Sequence, residues 1–165
     1  MQSPELQLRP PRHRVSPRAV TWWTMQAVLS VLTLLVPVLV GLLTWSDSRS
    51  WLAWATVAVL LLGGVYVGVM PRWRFRIHRW EATEDAVYTS AGWLSQEWRV
   101  APMSRIQTVD TVRGPLQQLL GLSTVTVTTA SAAGPLQVEG MDHREARVLV
   151  EQLTATTQAT PGDAT

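Results

Sequence analysis

No charged residue lies between Arg18 and Asp47, and none between Arg49 and Arg72. These two runs constrain the fold before anything else does. A helix rises about 1.5 Å per residue, so about 20 residues cross a hydrocarbon layer of roughly 30 Å. Both runs are long enough, and their cores (27–43 and 52–69) are rich in Leu and Val. The first run is too long for the apolar part of a cleaved signal peptide, and a second follows within a few residues. A chain of 165 residues has too little other material to bury two such helices on all sides. The reading is a transmembrane hairpin, with spans over 20–45 and 51–70.

The arginines orient it. Arg9, Arg12, Arg14 and Arg18 precede the first span, and Arg72, Arg74, Arg76 and Arg79 follow the second. The connecting loop holds one Asp and one Arg. Positive charge is retained on the cytoplasmic side, so both termini are expected in the cytoplasm of a plasma-membrane protein. Trp22, Trp23, Trp45, Trp51 and Trp73 fall near the expected membrane edges, where an amphipathic ring is favoured. Pro37 interrupts the first span and is expected to kink it. Gly64 and Gly68 form a small-residue pair expected to pack the hairpin, with dimerisation as the second reading.

Composition narrows the function classes. There are no cysteines, which removes disulfides, thiolate metal sites and cysteine nucleophiles. All fourteen basic residues are arginine, read as codon bias rather than chemistry. From residue 80 onward there are five Arg against ten acids. The basic excess lies beside the spans and the remainder is acidic, which argues against a nucleic-acid partner.

After residue 80 the pattern becomes short strands and turns. Glu84-Asp85 reads as a tight turn and Ala91-Gly92 as another, with strands over 93–100 and 106–112. Gly114-Pro115 breaks the second of these, and 116–122 reads as an apolar helical turn ending at Gly121, with Leu119, Leu120 and Leu122 in the core. In 123–129, Val125 and Val127 point one way and the threonines the other. A turn over 131–134 and a short strand at Leu136 and Val138 follow. Asp142 is the expected N-cap of a helix, with Glu145 as its capping-box partner. Ala146, Leu149, Val150 and Leu153 form one apolar face of that helix, and 155–165 reads as a disordered tail. The expected fold is α+β: six or seven mainly antiparallel strands in a partial barrel, closed by a C-terminal helix. The expected organisation is a basic cytoplasmic segment (1–19), the hairpin (20–71), the folded domain (72–154) and the tail.

Certain stretches also carry a family resemblance: Gly92-Trp93-Leu94, then Pro102-Met103-Ser104-Arg105-Ile106-Gln107, then Gly114-Pro115-Leu116, Leu120-Gly121-Leu122 and Thr124-Val125-Thr126-Val127-Thr128-Thr129-Ala130. Together they resemble the bacterial pleckstrin-homology-like (PH-like) domain of the YdbS type, a membrane-flanked domain family, over residues 76 to about 153. The resemblance implies a PH-like fold behind two spans. It implies little about biochemistry. Gln118 stands where a basic residue is expected, which weakens any anion contact at that turn.

No constellation points to catalysis. His13, His78 and His143 stand far apart, no histidine has a second ligand at metal spacing, and no phosphate loop or nucleophile motif is present. No enzyme activity, cofactor or metal is expected. The site candidates are Arg72, Arg74, Arg76 and Arg79, set against the simpler reading that they fix topology, and Arg105 with Gln107, read as corner residues or as a partner contact. The leading expectation is a non-enzymatic interaction or assembly module at the inner leaflet, binding a protein partner or a second copy. The alternatives are an anionic-lipid sensor using the juxtamembrane arginines and an accessory subunit of a membrane transport or export complex.

Overall fold

The computed structural model describes residues 11–47, 49–131 and 134–159, with side chains through residue 156. Arg9, the middle of the 131–134 turn and residues 160–165 of the expected tail lie outside that set. The two apolar runs form helices α1 (Arg18–Thr44) and α2 (Arg49–Ile77), antiparallel and joined by a short loop. Both are long and apolar enough to cross a bilayer. Helix α1 continues through Pro37. The hairpin closes at Gly63, where an added Cβ would meet Val31 at 2.7 Å, while Gly64 and Gly68 have open space beside them. The expected packing role of the Gly64–Gly68 pair is therefore corrected: the notch lies one residue earlier, on the face turned to α1.

The rest is two antiparallel sheets. One has the order β1 (His13–Arg14), β2 (Arg79–Ala82), β3 (Ala86–Gly92), β4 (Gln96–Pro102). The other is β5 (Ile106–Val112), β6 (Leu122–Thr129), β7 (Leu136–Asp142). A 3-10 turn (Met103–Arg105) leads into β5, and helix α3 (Pro115–Leu120) lies between β5 and β6. The C-terminal helix α4 (His143–Ala159) closes the domain. Alternation in β6 behaves as expected: Val125 and Val127 are fully buried. So are the apolar positions Ala146, Leu149 and Leu153 of α4. The Asp142 carboxylate accepts the Arg144 backbone N–H at 2.9 Å, which caps α4.

Four further expectations change. The turn after β3 falls at 93–95, not at Ala91-Gly92, so Trp93 and Leu94 sit in a turn. Leu119 is 82% exposed, whereas Leu122 is buried; the α3 turn aims Leu119 outward. Helix α4 runs to Ala159, into the expected tail, because no Gly or Pro intervenes before Pro161. The hydroxyls of Thr154 and Thr156 also satisfy themselves on the Val150 and Gln152 carbonyls.

The fourth change matters most for the site. The segment before α1 is part of the fold over its described residues. β1 pairs with β2, Val15 is buried, and Ser16 N–H donates to the Gly140 carbonyl at 3.0 Å. The first turns of α1 then enter the domain core, where Ala19, Trp22 and Trp23 pack with Leu122, Val138, Met141 and Leu149. Gly140 permits this approach: its φ is +72°, and a Cβ there would stand 2.6 Å from that of Ala19. Trp22 and Trp23 are thus core residues, not interfacial anchors. A packed protein surface meets them where lipid headgroups were expected.

Candidate functional site

The site is the junction where both helices meet the domain. His78 directly follows α2, its N–H bonded to the Arg74 carbonyl at 2.8 Å, so it stays one turn from Arg74, and the two turn together toward the sheets. Arg74 donates to Glu139 of β7 at 2.7 Å, and its guanidinium carbon lies 4.9 Å above the Trp23 ring of α1. Trp23 in turn meets the His78 ring edge-on at 5.1 Å. One arginine therefore connects α1, α2 and β7.

Beside this junction lies a cavity of about 230 Å³, with Arg74, His78, Thr89, Glu97, Arg99 and Glu139 among its lining. Its charges are internally matched. Arg99 bonds Glu97 at 2.6 Å and the Pro135 carbonyl at 2.9 Å, while Arg74 holds Glu139. Burial, reinforced by the Arg74 charge, lowers the pKa of His78 to about 4. The Arg74 backbone, whose carbonyl accepts the His78 N–H at 2.8 Å, opposes that shift, and His78 Nδ1 has no hydrogen-bond partner among the described residues. A neutral imidazole with so low a pKa is a poor base near pH 7. Among the described residues no three His, Asp or Glu side chains gather to hold a metal ion.

The four juxtamembrane arginines do not act as one cluster. Arg74 is withdrawn into the junction. Arg72 and Arg76 are exposed on the last turns of α2, and Arg79 is half-buried on β2. Among the described residues none of these three pairs with a carboxylate. Arg105 and Gln107 are both exposed, at the entry to β5. Among the described residues neither side chain makes a hydrogen bond, and the Arg105 backbone carbonyl accepts the Ala130 N–H at 3.2 Å. The buried side chain that fixes the neighbouring turn is Gln117, bonded to Gly114 N–H and Thr124 Oγ1.

Sequence reasoning missed His78, Glu139 and Trp23 as junction residues. The spacing of Arg74 and His78 by one helical turn was a signal for the first. Nothing local indicates Glu139, 65 residues away from its partner.

The sequence model of the bacterial PH domain family matches residues 24–157. The chain is 28% identical over 156 residues to the UPF0699 transmembrane protein YdbS of Bacillus subtilis (strain 168), covering 93% of this chain and 97% of that one. No solved structure matches. Two apolar helices, two small antiparallel sheets around a shared core and a closing C-terminal helix agree with both likenesses. The chain belongs to the bacterial PH domain family, as a membrane protein of the YdbS type.

Proposed function

We propose that the chain is a non-enzymatic assembly module of the plasma membrane, with both termini and the PH-like domain on the cytoplasmic side. In this reading it receives a partner strand along β5. The flanking arginines support the orientation, since positive charge resists translocation. The observation that carries the reading is the edge of β5. This seven-residue strand pairs with β6 on one side, and among the described residues no strand lies on the other. Its outer surface is open, with Gln107, Thr108, Asp110 and Thr111 exposed and Val112 58% exposed. The exposed Arg105 stands at its entry. An unpaired edge supplies main-chain donors and acceptors to an incoming strand, and neighbouring side chains supply selectivity. The partner is another protein or a second copy of the chain.

The test uses a photo-crosslinking residue at Thr111 in native membranes. A discrete adduct that disappears when Thr108→Lys and Val112→Lys are combined supports the reading. No adduct, and no oligomer after purification in mild detergent, overturns it.

A second reading, contact with anionic headgroups, is favoured by Arg72 and Arg76 on the last turns of α2 and Arg79 at the start of β2, none of which pairs with a carboxylate among the described residues. Each is worth about 1 kcal/mol at an anionic surface. Because the spans already hold the domain at the membrane, such contact orients it rather than recruits it. For the full-length protein reconstituted in vesicles, a domain orientation that ignores anionic lipid content removes this reading. Neither span carries a charged residue to line a path, which disfavours the transport-subunit alternative.

A further inference from the structure

The turn between β3 and β4 has an unusual composition for a surface loop. Turns that face water are built from Gly, Asn, Asp, Ser and Pro. Here Gly92 and Ser95 enclose Trp93 and Leu94, which are 37% and 83% exposed. No charged residue occurs from Ala86 to Gln96.

The turn lies against α2. The Trp93 ring lies 5.8 Å from that of Tyr66, at an interplanar angle of 68°. Tyr66 belongs to α2 and falls inside its uncharged run. The height of that contact follows from two polar markers. The Arg72 guanidinium donates to the Gly68 carbonyl at 2.6 Å, so a full positive charge sits at the level of Gly68. On α1, Val31 abuts Gly63. Counting five residues outward from that contact on each antiparallel helix brings Gln26 to the level of Gly68. The edge of the hydrocarbon layer is therefore near Gly68. Tyr66 lies two residues, about 3 Å, deeper along α2, and helical side chains tilt further toward the N-terminus, which here is deeper still.

We infer that this turn is a third membrane contact, with Trp93 and Leu94 inserted at the boundary between headgroups and acyl chains. The occupant of the exposed Leu94 surface is lipid, because the surface is continuous with the part of α2 that the bilayer already covers. Trp73, 47% exposed and seven residues after Tyr66, lies on the same stripe of α2 and sits at headgroup level. Amphipathic segments held at this boundary reach about 5–10 Å into it. The consequence is geometric. Two helices alone leave the domain free to tilt against the bilayer, and the turn supplies a separate point of support. The inference rests on the spans and does not depend on what β5 binds.

The chain has no cysteine, so Leu94→Cys, Leu61→Cys and Val148→Cys each place a single nitroxide label. Leu61 marks a lipid-exposed position of α2 and Val148 a solvent-exposed position of α4. The full-length protein is reconstituted in vesicles of neutral lipid, with about one protein per vesicle. The ratio of oxygen to water-soluble nickel accessibility is then read by spin resonance. The Leu94 label is expected to show a ratio several-fold above that of Val148 and approaching that of Leu61. A Leu94 ratio equal to that of Val148 overturns the inference. A label shielded from both probes also overturns it, since that reports protein rather than lipid over the turn.

Discussion

The two ends of α1 carry the same residue type in similar sequence surroundings and treat it in opposite ways. Trp22 and Trp23, a turn inside the first end, are buried against sheet residues and α4. Trp45, at the other end, is 63% exposed, as are Trp51 and Trp54 across the loop to comparable degrees. The preference of indole for a membrane edge operates where nothing else is present, and at the loop end of the hairpin there is only a short connection. At the domain end a protein core is available, and a large ring gains more from close packing than from headgroups. The arginines repeat the contrast at closer range. Arg72 stays outside, while Arg74, two residues on, folds under the domain to Glu139 and Trp23.

The sharpest way to break this comparison is to truncate both ends. Trp23→Ala is expected to cost about 3–5 kcal/mol, as large-to-small changes in a packed core do. Trp45→Ala is expected to cost less than about 1 kcal/mol, as exposed positions do. Denaturant unfolding of the detergent-solubilised chain measures both, and equal losses would remove the distinction between the ends.

Next in size is a pH effect at the domain end. The folded pKa of His78, about 4, lies below the ordinary value of 6.5. The unfolded chain therefore binds the extra proton in that window. The stability that comes from keeping His78 neutral is complete above pH 6.5 and is lost as pH falls toward 4. That loss is about 3 kcal/mol in all. Thermal unfolding between pH 7 and 4 should show it, and His78→Phe should flatten the profile.

Glycines sharpen the same comparison. Gly140→Ala is expected to cost about 1–3 kcal/mol, because its Cβ meets Ala19 and its φ is positive. Gly64→Ala, with open space on its face, should be near neutral. The smallest difference is between arginines. Arg74→Ala should cost about 1–2 kcal/mol through a partly exposed ion pair and a cation–π contact. Arg72→Ala should cost close to nothing in unfolding experiments.

Much of the architecture was legible in the sequence because it depends on local periodicity. The uncharged runs, the alternation of Val125 and Val127 and the helical spacing of Ala146, Leu149 and Leu153 are each local patterns: the runs form two long apolar helices, and the marked faces of β6 and α4 are buried as expected. Boundaries were less legible. Trp93 and Leu94 read as strand because they are apolar, and the structure puts them in a turn. Apolar character says that a side chain leaves water; it does not say whether it enters a core or a bilayer. Leu119 was misread for the opposite reason, since an apolar residue in a short helical turn can simply point outward. At the junction, the Arg74–Glu139 pair spans 65 residues and has no periodic trace. The likewise long-range attachment of residues 13–16 to β2 and Gly140 was also invisible.

By itself the sequence determined that two helices are long and apolar enough to cross a bilayer and that an alternating, turn-rich segment folds beside them. Hydrocarbon thickness and side-chain period act on neighbouring residues and are written directly in their order. Only the tertiary structure decided that the membrane helices and the domain share one core, that Arg74 leaves the arginine cluster, and that β5 keeps an open edge. Those outcomes depend on which surfaces meet, and that is a competition among distant segments for the same packing space.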